Sequence, residues 1–476
     1  MTDTSYDLVV VGSGGGGFAA AIEASRLGGS VAIVDGGALG GTCTNTGCIP
    51  SKALLAAAGV HHTAIDAERY PGIAATPGVI DMGALIAGKQ SLVDRMRATK
   101  YESLIDAYGW DFYPGHAAFD GTAGDPVLAV TLADGKRTAI RGRHYLLATG
   151  SSPWAPDLAG LDDVAYLTST TAMELDAVPE SMMVLGGGYV ALEMAQLFTR
   201  LGTAVMILAR TRLVSHEEPE ASRALEDALA DEGVVTVRKA VPVAVARTDA
   251  GCVVATVDVG GQRREFRAAQ LLVATGRRPV TDGLGLDRVG VATGTSGEVI
   301  VDGRQATSNA RIWAAGDVTG GPEFVYVAAA QGAVAAENAL TGTEKTLSTR
   351  ALPRVAFTSP ALGVAGLTEA QAHAAGIRCE CRVLPLEYVP RALVDRDTRG
   401  FIKVVAERGT GRIIGATAVA RDAGELAATA VHLIETGTTV SELAHRWAPY
   451  LTMSEGLRIA AQAFTADVSM LSCCAA

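Results

Sequence analysis

Leu8-Val9-Val10-Val11-Gly12-Ser13-Gly14-Gly15-Gly16-Gly17 sets an apolar run directly before a glycine turn. An Ala-rich stretch follows, then a second apolar run from Ser30 to Asp35. Strand, glycine turn, helix and strand within about 30 residues make the βαβ unit that binds dinucleotides. Gly12, Gly14 and Gly17 hold the G-x-G-x-x-G spacing. The first permits a tight turn, the second lets backbone approach a pyrophosphate, and the third allows close helix packing. The pyrophosphate would lie at a helix N-terminus. Asp35, ending the second strand, would accept a pair of ribose hydroxyls. A glycine motif alone is weak evidence, but here strand, helix and acid stand in place around it.

The pattern recurs at Met182-Met183-Val184-Leu185-Gly186-Gly187-Gly188-Tyr189-Val190-Ala191, followed by Leu192 to Leu201 and the apolar run Ala204 to Leu208. Gly186, Gly188 and Ala191 carry the fingerprint. No acid ends the second strand; Ala209-Arg210-Thr211-Arg212 stands there. Guanidiniums in place of a carboxylate suit a 2′-phosphate, so Arg210 and Arg212 favour NADPH over NADH. The bland alternative is a pair of solvated loop arginines. Each unit has an echo, Leu146-Leu147-Ala148-Thr149-Gly150 and Leu272-Val273-Ala274-Thr275-Gly276, where an apolar strand ends in Ala-Thr-Gly. A third such strand, Ile312-Trp313-Ala314-Ala315-Gly316-Asp317, ends in Gly-Asp.

After Pro353 the texture changes. Arg354 to Gly366, Cys381 to Leu386 and Phe401 to Val405 read as strands with helices between and after, an α+β block. The expected fold is therefore α/β, with two Rossmann-like dinucleotide-binding domains and a C-terminal α+β domain. The expected boundaries are 1–153 for the first nucleotide domain, 154–276 for the second, 277–352 for a return to the first, and 353–476 for the last.

At 476 residues the chain exceeds one ordinary core. Hydrophobic content of 49% with 19% charged residues reads as globular rather than disordered. A net charge of −11 gives no general attraction to nucleic acid or anionic membrane. No apolar run reaches membrane-spanning length, and no signal peptide precedes the strand at Asp7. The expectation is a soluble cytoplasmic protein. Seven cysteines, an odd number, imply no extracellular disulfide framework.

Four of the seven stand in two pairs. Cys43 and Cys48 lie in Gly41-Thr42-Cys43-Thr44-Asn45-Thr46-Gly47-Cys48-Ile49-Pro50-Ser51-Lys52; Cys473-Cys474 stand two residues before the last. The first stretch closely resembles the redox-disulfide motif of the pyridine nucleotide-disulfide oxidoreductases, and the resemblance extends through both fingerprints, the Gly316-Asp317 motif and the C-terminal block. It implies FAD in the first nucleotide domain, NADPH in the second, and a homodimer formed through the third. It implies two-electron flow from NADPH through FAD to a cysteine pair, with Cys48 nearest the flavin and Cys43 the outer, exchanging thiol. Thr42, Thr149, Gly150 and Gly276 would belong to the cofactor sites. Lys52 would sit near the flavin ring, paired with Glu193, and Asp317 would contact the ribityl and pyrophosphate region.

The other end selects the branch of the family. Its disulfide reductases carry a C-terminal His and Glu that protonate the departing thiolate. The corresponding stretch here is Tyr450-Leu451-Thr452-Met453-Ser454-Glu455. Glu455 is kept, but Tyr450 holds the His position, and a phenol with pKa of about 10 is a poor neutral-pH shuttle. His445, five residues earlier, is out of register and reads as structural or exposed. Ser472-Cys473-Cys474, Tyr189, Pro449-Tyr450-Leu451-Thr452-Met453 and Phe324-Val325-Tyr326-Val327-Ala328 resemble the family's mercury-reducing members. That resemblance implies reduction of Hg(II) to Hg(0). The Cys473-Cys474 tail would pass Hg(II) to Cys43 and Cys48 of the other subunit, with Tyr189 lining the NADPH side and Tyr450 the transfer path. Soft thiolates suit such an ion. Some of those members carry an N-terminal metal-binding domain; this chain starts almost at the first strand, and a separate mercury carrier is one alternative. The rival readings are a disulfide reductase of the same family and a thiol protein that binds mercury without reducing it.

Cys252 reads as core. Cys379 and Cys381 fall on one face of a strand and read as structural rather than metal-binding. His61-His62 has no partner spacing for zinc.

Overall fold

The computed structural model describes residues 5–470. These form two compact units, each built from several chain segments. The first comprises the chain through Leu54 together with Gly83–Trp154 and Gly276–Leu347; the second comprises Leu55–Met82, Ala155–Thr275 and the chain from Ser348 onward.

In the first unit the strand Ser5–Val11 lies between Val31–Asp35 and Arg137–Leu147, all parallel, and Ile312–Ala314 extends the sheet from Arg137–Leu147. Leu8, Val9 and Val10 are fully buried, as expected of a parallel strand covered on both faces. Asp111–Phe119 continues the sheet from Val31–Asp35, and Leu128–Leu132 pairs antiparallel with it and with Arg137–Leu147. The helix Gly15–Arg26 buries Phe18, Ala20, Ala21 and Ala24; these share one core with Leu8, Val10, Ile33 and Leu146. Small alanines let that helix lie close to the sheet.

In the second unit Ser181–Leu185 pairs parallel with Ala204–Ala209 on one side and Gln270–Val273 on the other, and Val235–Arg238 forms an edge. Three antiparallel strands, Ala240–Arg247, Val253–Val259 and Gln262–Ala268, pack beside it through Val245, Val253, Ala255 and Val257. The C-terminal segment of the unit is a five-stranded antiparallel sheet in the order Pro353–Ala356, Ala361–Gly366, Ile413–Ala420, Phe401–Glu407, Cys379–Pro385. The helix Ala423–Glu435 places Leu426, Ala430, Leu433 and Ile434 in its core.

Arg354–Gly366, expected as one strand, is two, because the chain turns at Thr358-Ser359-Pro360. Pro360 has no N–H for a ladder, so the run cannot continue through it. The strand expected from Cys381 begins earlier, at Cys379. Lys403, 1% exposed, anchors the C-terminal sheet to the loop and helix at Glu218–Asp231. Its Nζ lies 3.0 Å from Glu218, 3.3 Å from Glu220 and 2.8 Å from Glu369. Three carboxylates around one buried ammonium raise its pKa despite the cost of burial. No helix among the described residues is long and apolar enough to cross a membrane.

Candidate active site and cofactor-binding turns

The first fingerprint folds as its glycines require. Gly12 has φ +104°, and a Cβ there would stand 2.3 Å from the Ala148 carbonyl oxygen. Gly14 caps the following helix without any side-chain bond, so the first-turn N–H groups are left for an anion. The nearest atom to a Cβ built on Gly14 is Gly41 Cα, at 3.9 Å. This is a cradle with room for a phosphate. Asp35 accepts from Ser13 N at 2.7 Å and Ser13 Oγ at 2.6 Å through one oxygen, and from Gly37 N at 2.7 Å through the other. The acid therefore braces the turn.

The redox motif lies against this turn. Gly41 has φ +61°, and a Cβ there would stand 2.7 Å from Gly14 Cα. Thr42 and Cys43 follow in the short helix Gly41–Asn45, which Asn45 Nδ2 fastens to the carbonyls of Leu39 and Gly41 at 2.8 and 2.9 Å. Cys48 starts the helix Cys48–Ile65 and is exposed; Cys43 is half-buried. A helix N-terminus favours a thiolate at Cys48. The Cys43 thiol is held well above its ordinary range, first by a hydrogen bond with the Cys48 side chain, then by burial and by the Cys48 charge, with Lys52 pulling the other way. The reduced pair thus keeps a proton on Cys43 beside Cys48.

At the far edge of the same unit, Ser151 Oγ donates to Asp317 at 2.7 Å, and Arg277 binds Ser151 Oγ at 2.7 Å and its carbonyl at 2.6 Å. Burial and the Asp317 charge push Glu323 upward, against Arg277. Thr149 Oγ1 donates to the Val280 carbonyl at 2.6 Å. A Cβ built on Gly150 or Gly276 would meet nothing within 4 Å. Ser151, Arg277 and Glu323 were not singled out from sequence, although Ser151 and Arg277 directly follow the two Ala-Thr-Gly motifs.

The second fingerprint repeats the first. Gly186 has φ +128°, and a Cβ there would stand 2.2 Å from the Ala274 carbonyl oxygen; around Gly188 nothing lies within 4 Å. Gly188 caps the helix Tyr189–Arg200 without a side-chain bond, and Ala191 is buried. Tyr189 donates to Glu217 at 2.7 Å, and Arg354 grips both Glu217 oxygens at 2.8 and 2.9 Å. Burial, then the Glu217 charge, holds the Tyr189 phenol well above its usual range. Glu217 and Arg354 were missed because nothing local marks a pair 137 residues apart. Glu193 is buried and accepts from Phe357 N at 2.9 Å. Arg210 is exposed, whereas Arg212 donates to the carbonyls of Ser215 at 2.8 Å and Glu217 at 2.7 Å. Arg212 Nη1 is buried with no hydrogen-bond partner, an orphaned donor that an anionic ligand would satisfy. Two open phosphate cradles and an arginine pair at the second fit the two dinucleotides expected of the chain.

Near the C-terminus, Tyr450 is exposed and Glu455 is buried. Glu455 accepts from Leu451 N at 3.3 Å and Arg458 at 3.0 Å. His445 is exposed, and its Nδ1 lies 2.8 Å from the Ser441 carbonyl of its own helix. Cys473 and Cys474 lie outside the described residues. His61 Nδ1 lies 2.9 Å from the Arg200 carbonyl, and His62 stands between Asp66 and Glu232, so this pair braces the helix in its own unit. Among the described residues no three His, Cys, Asp or Glu side chains are grouped to hold a metal ion. Cys252 is partly buried, with Sγ 3.3 Å from the Ala268 carbonyl. Burial, then Glu369 and Cys379, pushes the Cys381 thiol up to about 12.

Two nucleotide turns and a Cys-x4-Cys pair beside the first define a flavin-dependent pyridine nucleotide oxidoreductase. Residues 6–332 match the pyridine nucleotide-disulphide oxidoreductase family, and residues 352–461 match that family's dimerisation domain. The chain belongs to this family. It is 54% identical to a mercuric reductase of Streptomyces lividans, with 99% of each chain covered. It is 42% identical to a mercuric reductase of Bacillus cereus, over 99% of this chain and 73% of the relative. Among solved structures it is similar to LpdA of Mycobacterium tuberculosis, with a TM-score of 0.86 and 28% identity over 97% of this chain and all of the other. It is also similar to the HOCl-induced flavoprotein disulfide reductase RclA of Escherichia coli, with a TM-score of 0.83 and 28% identity over 96% and 99% of the two chains.

Proposed function

We propose that this chain reduces Hg(II) to Hg(0) with NADPH, acting as a homodimer in the cytoplasm. The observation that carries the reading is the Cys43–Cys48 pair, with Cys48 exposed at a helix start and Cys43 half-buried in the short helix packed on the first nucleotide turn. The two mercuric reductases aligned along the whole chain support the choice of substrate. Bound FAD supplies the two-electron relay between NADPH and the site of the cysteine pair. The turn at Gly12–Gly17, with Asp35, Thr42, Thr149, Gly150 and Asp317, would hold FAD. The turn at Gly186–Ala191, with Gly276, Arg210 and Arg212, would hold NADPH, and Tyr189 would line its approach. Lys52 is assigned to the flavin ring, with Glu193 as its partner.

The residues act on the metal through sulfur. Hg(II) prefers two soft thiolates and arrives bound to small thiols. Cys43 and Cys48 displace those thiols one at a time, each losing its proton as a mercury–sulfur bond forms. NADPH gives up two electrons and becomes NADP⁺ with release of H⁺; Hg(II) takes the two electrons and leaves as Hg(0), and both cysteines are left as thiolates. Each departing thiolate takes up the proton that a cysteine loses, so an imidazole at position 450 is dispensable. Glu455 is already engaged by Arg458 and Leu451, an arrangement that does not call for one. Cys473 and Cys474 are assigned to delivering Hg(II) to the partner subunit's cysteine pair, with Tyr450 along the path.

The delivery step is tested by changing Cys473 and Cys474 to Ala and assaying with Hg(II) in excess monothiol. Turnover should fall most at high thiol; an unchanged rate there would remove the tail from the mechanism. A disulfide reductase is the second reading, favoured only by the structural likeness to RclA. Parallel assays with oxidised glutathione, lipoamide and Hg(II) decide between them.

A further inference from the structure

Cys379 and Cys381 lie in the edge strand Cys379–Pro385 of the C-terminal sheet, which among the described residues pairs only through Phe401–Glu407. Two residues apart on one strand, their side chains share one face. His373, from the helix Glu369–Ala374, brings Nε2 to 3.4 Å from Cys379 Sγ. A cleft of about 330 Å³ opens here, lined by His373, Cys379, Arg378 and Arg408 among others. Both thiols are half-buried and His373 is exposed, so the group is reachable from solvent.

We propose that Cys379 and Cys381 form a second binding site for a two-coordinate thiophilic cation such as Hg(II), with His373 beside the site and outside the ligand pair. Residues two apart on a strand are separated by about 6.7 Å along the chain. Their Cβ atoms stand parallel at a similar spacing, whereas a disulfide needs them about 4 Å apart. The backbone thus opposes a sulfur–sulfur bond between the two, while a cation held between the sulfurs bridges the gap. Zinc prefers four ligands and would be poorly served by this set, whereas a soft d¹⁰ ion is satisfied by two sulfurs. The cleft walls suggest the form in which the ion arrives. Mercuric complexes of thiols with more carboxylates than ammonium groups are anions, and Arg378 gives the cleft wall a positive charge, while Arg408 is paired with Glu380 at 2.9 Å. Binding exchanges two mercury–sulfur bonds of the incoming complex for two to Cys379 and Cys381. The two cysteine protons pass to the released thiolates, and no electrons move. The site would hold mercury without reducing it, and it does not depend on the reductase reading being right.

The test uses the full-length, flavin-loaded chain with Cys43, Cys48, Cys252, Cys473 and Cys474 changed to Ser, leaving only Cys379 and Cys381. Hg(II) is added with excess cysteine as competitor, and bound metal is read by native mass and by sulfur-to-mercury charge-transfer absorption. One Hg(II) per chain is expected. C379A and C381A should each lower retention at least ~10-fold, the loss of a chelate's second bond to an unlinked competitor. H373A should weaken it less. No bound metal in the parent, or equal retention in C379A, would overturn the site. In case these variants lose their fold, the natural chain is treated with Hg(II) and then with an alkylating reagent. Joint protection of Cys379 and Cys381 supports the site; modification of either at the metal-free rate overturns it.

Discussion

The two glycine turns have nearly the same backbone and different surroundings. Gly12 and Gly186 both take positive φ, at +104° and +128°, and each presses against a carbonyl of an Ala-Thr-Gly strand. Gly14 and Gly188 both cap a helix with no side-chain bond. The difference lies at the end of the second strand. In one unit Asp35 takes three hydrogen bonds from its own turn and the next loop. In the other Arg210 is exposed, and Arg212 is held by two carbonyls with one nitrogen left over. The turn accepts any pyrophosphate; the strand end decides which dinucleotide follows it.

The sharpest way to break this comparison is to block one turn at a time. G12A forces a Cβ against Ala148 and should give protein without bound flavin, read by absorbance and by the flavin released on denaturation. G186A should keep its flavin and lose NADPH-dependent turnover. If both variants lost flavin, the assignment of the turns to different cofactors would fall. Next in size is R210A. Losing a charge-assisted bond to a phosphate costs about 1.5–3 kcal/mol, so KM for NADPH should rise ~10–100-fold while that for NADH barely moves. R212A should raise both, because that side chain also ties the loop at Ser215 and Glu217. Equal effects of R210A on the two cofactors would remove the 2′-phosphate role. The smallest change is S13A, which deletes one hydroxyl bond to Asp35. It should weaken FAD binding by about 1 kcal/mol, measured by flavin titration of the apoprotein, and leave the NADPH KM untouched.

The turns were legible because each glycine answers a local constraint that no other residue meets. The Cys43-x4-Cys48 motif was legible because the pair and its flanking residues stand within one short stretch, with Cys43 in the helix Gly41–Asn45 and Cys48 at the start of the next. What escaped depends on distance along the chain. Ser151 and Asp317 are 166 residues apart, and Glu217 and Arg354 are 137 apart; parallel strand ends and sheet edges bring them together. No periodicity announces such pairs. The break at Pro360 was missed, although a proline with no N–H for the ladder stands inside the run. Cys379 and Cys381 were read as structural because His373 was not known to approach them; the turn after its short helix supplies that contact.

The central claim is that electrons entering at the second turn leave through a metal held by Cys43 and Cys48. The direct measurement follows NADPH oxidation and volatile mercury together, with Hg(II) supplied in excess thiol. One Hg(0) should be released per NADPH consumed, and C43A and C48A should release none while remaining yellow. NADPH loss without mercury vapour, or full mercury reduction by C43A, would contradict the account.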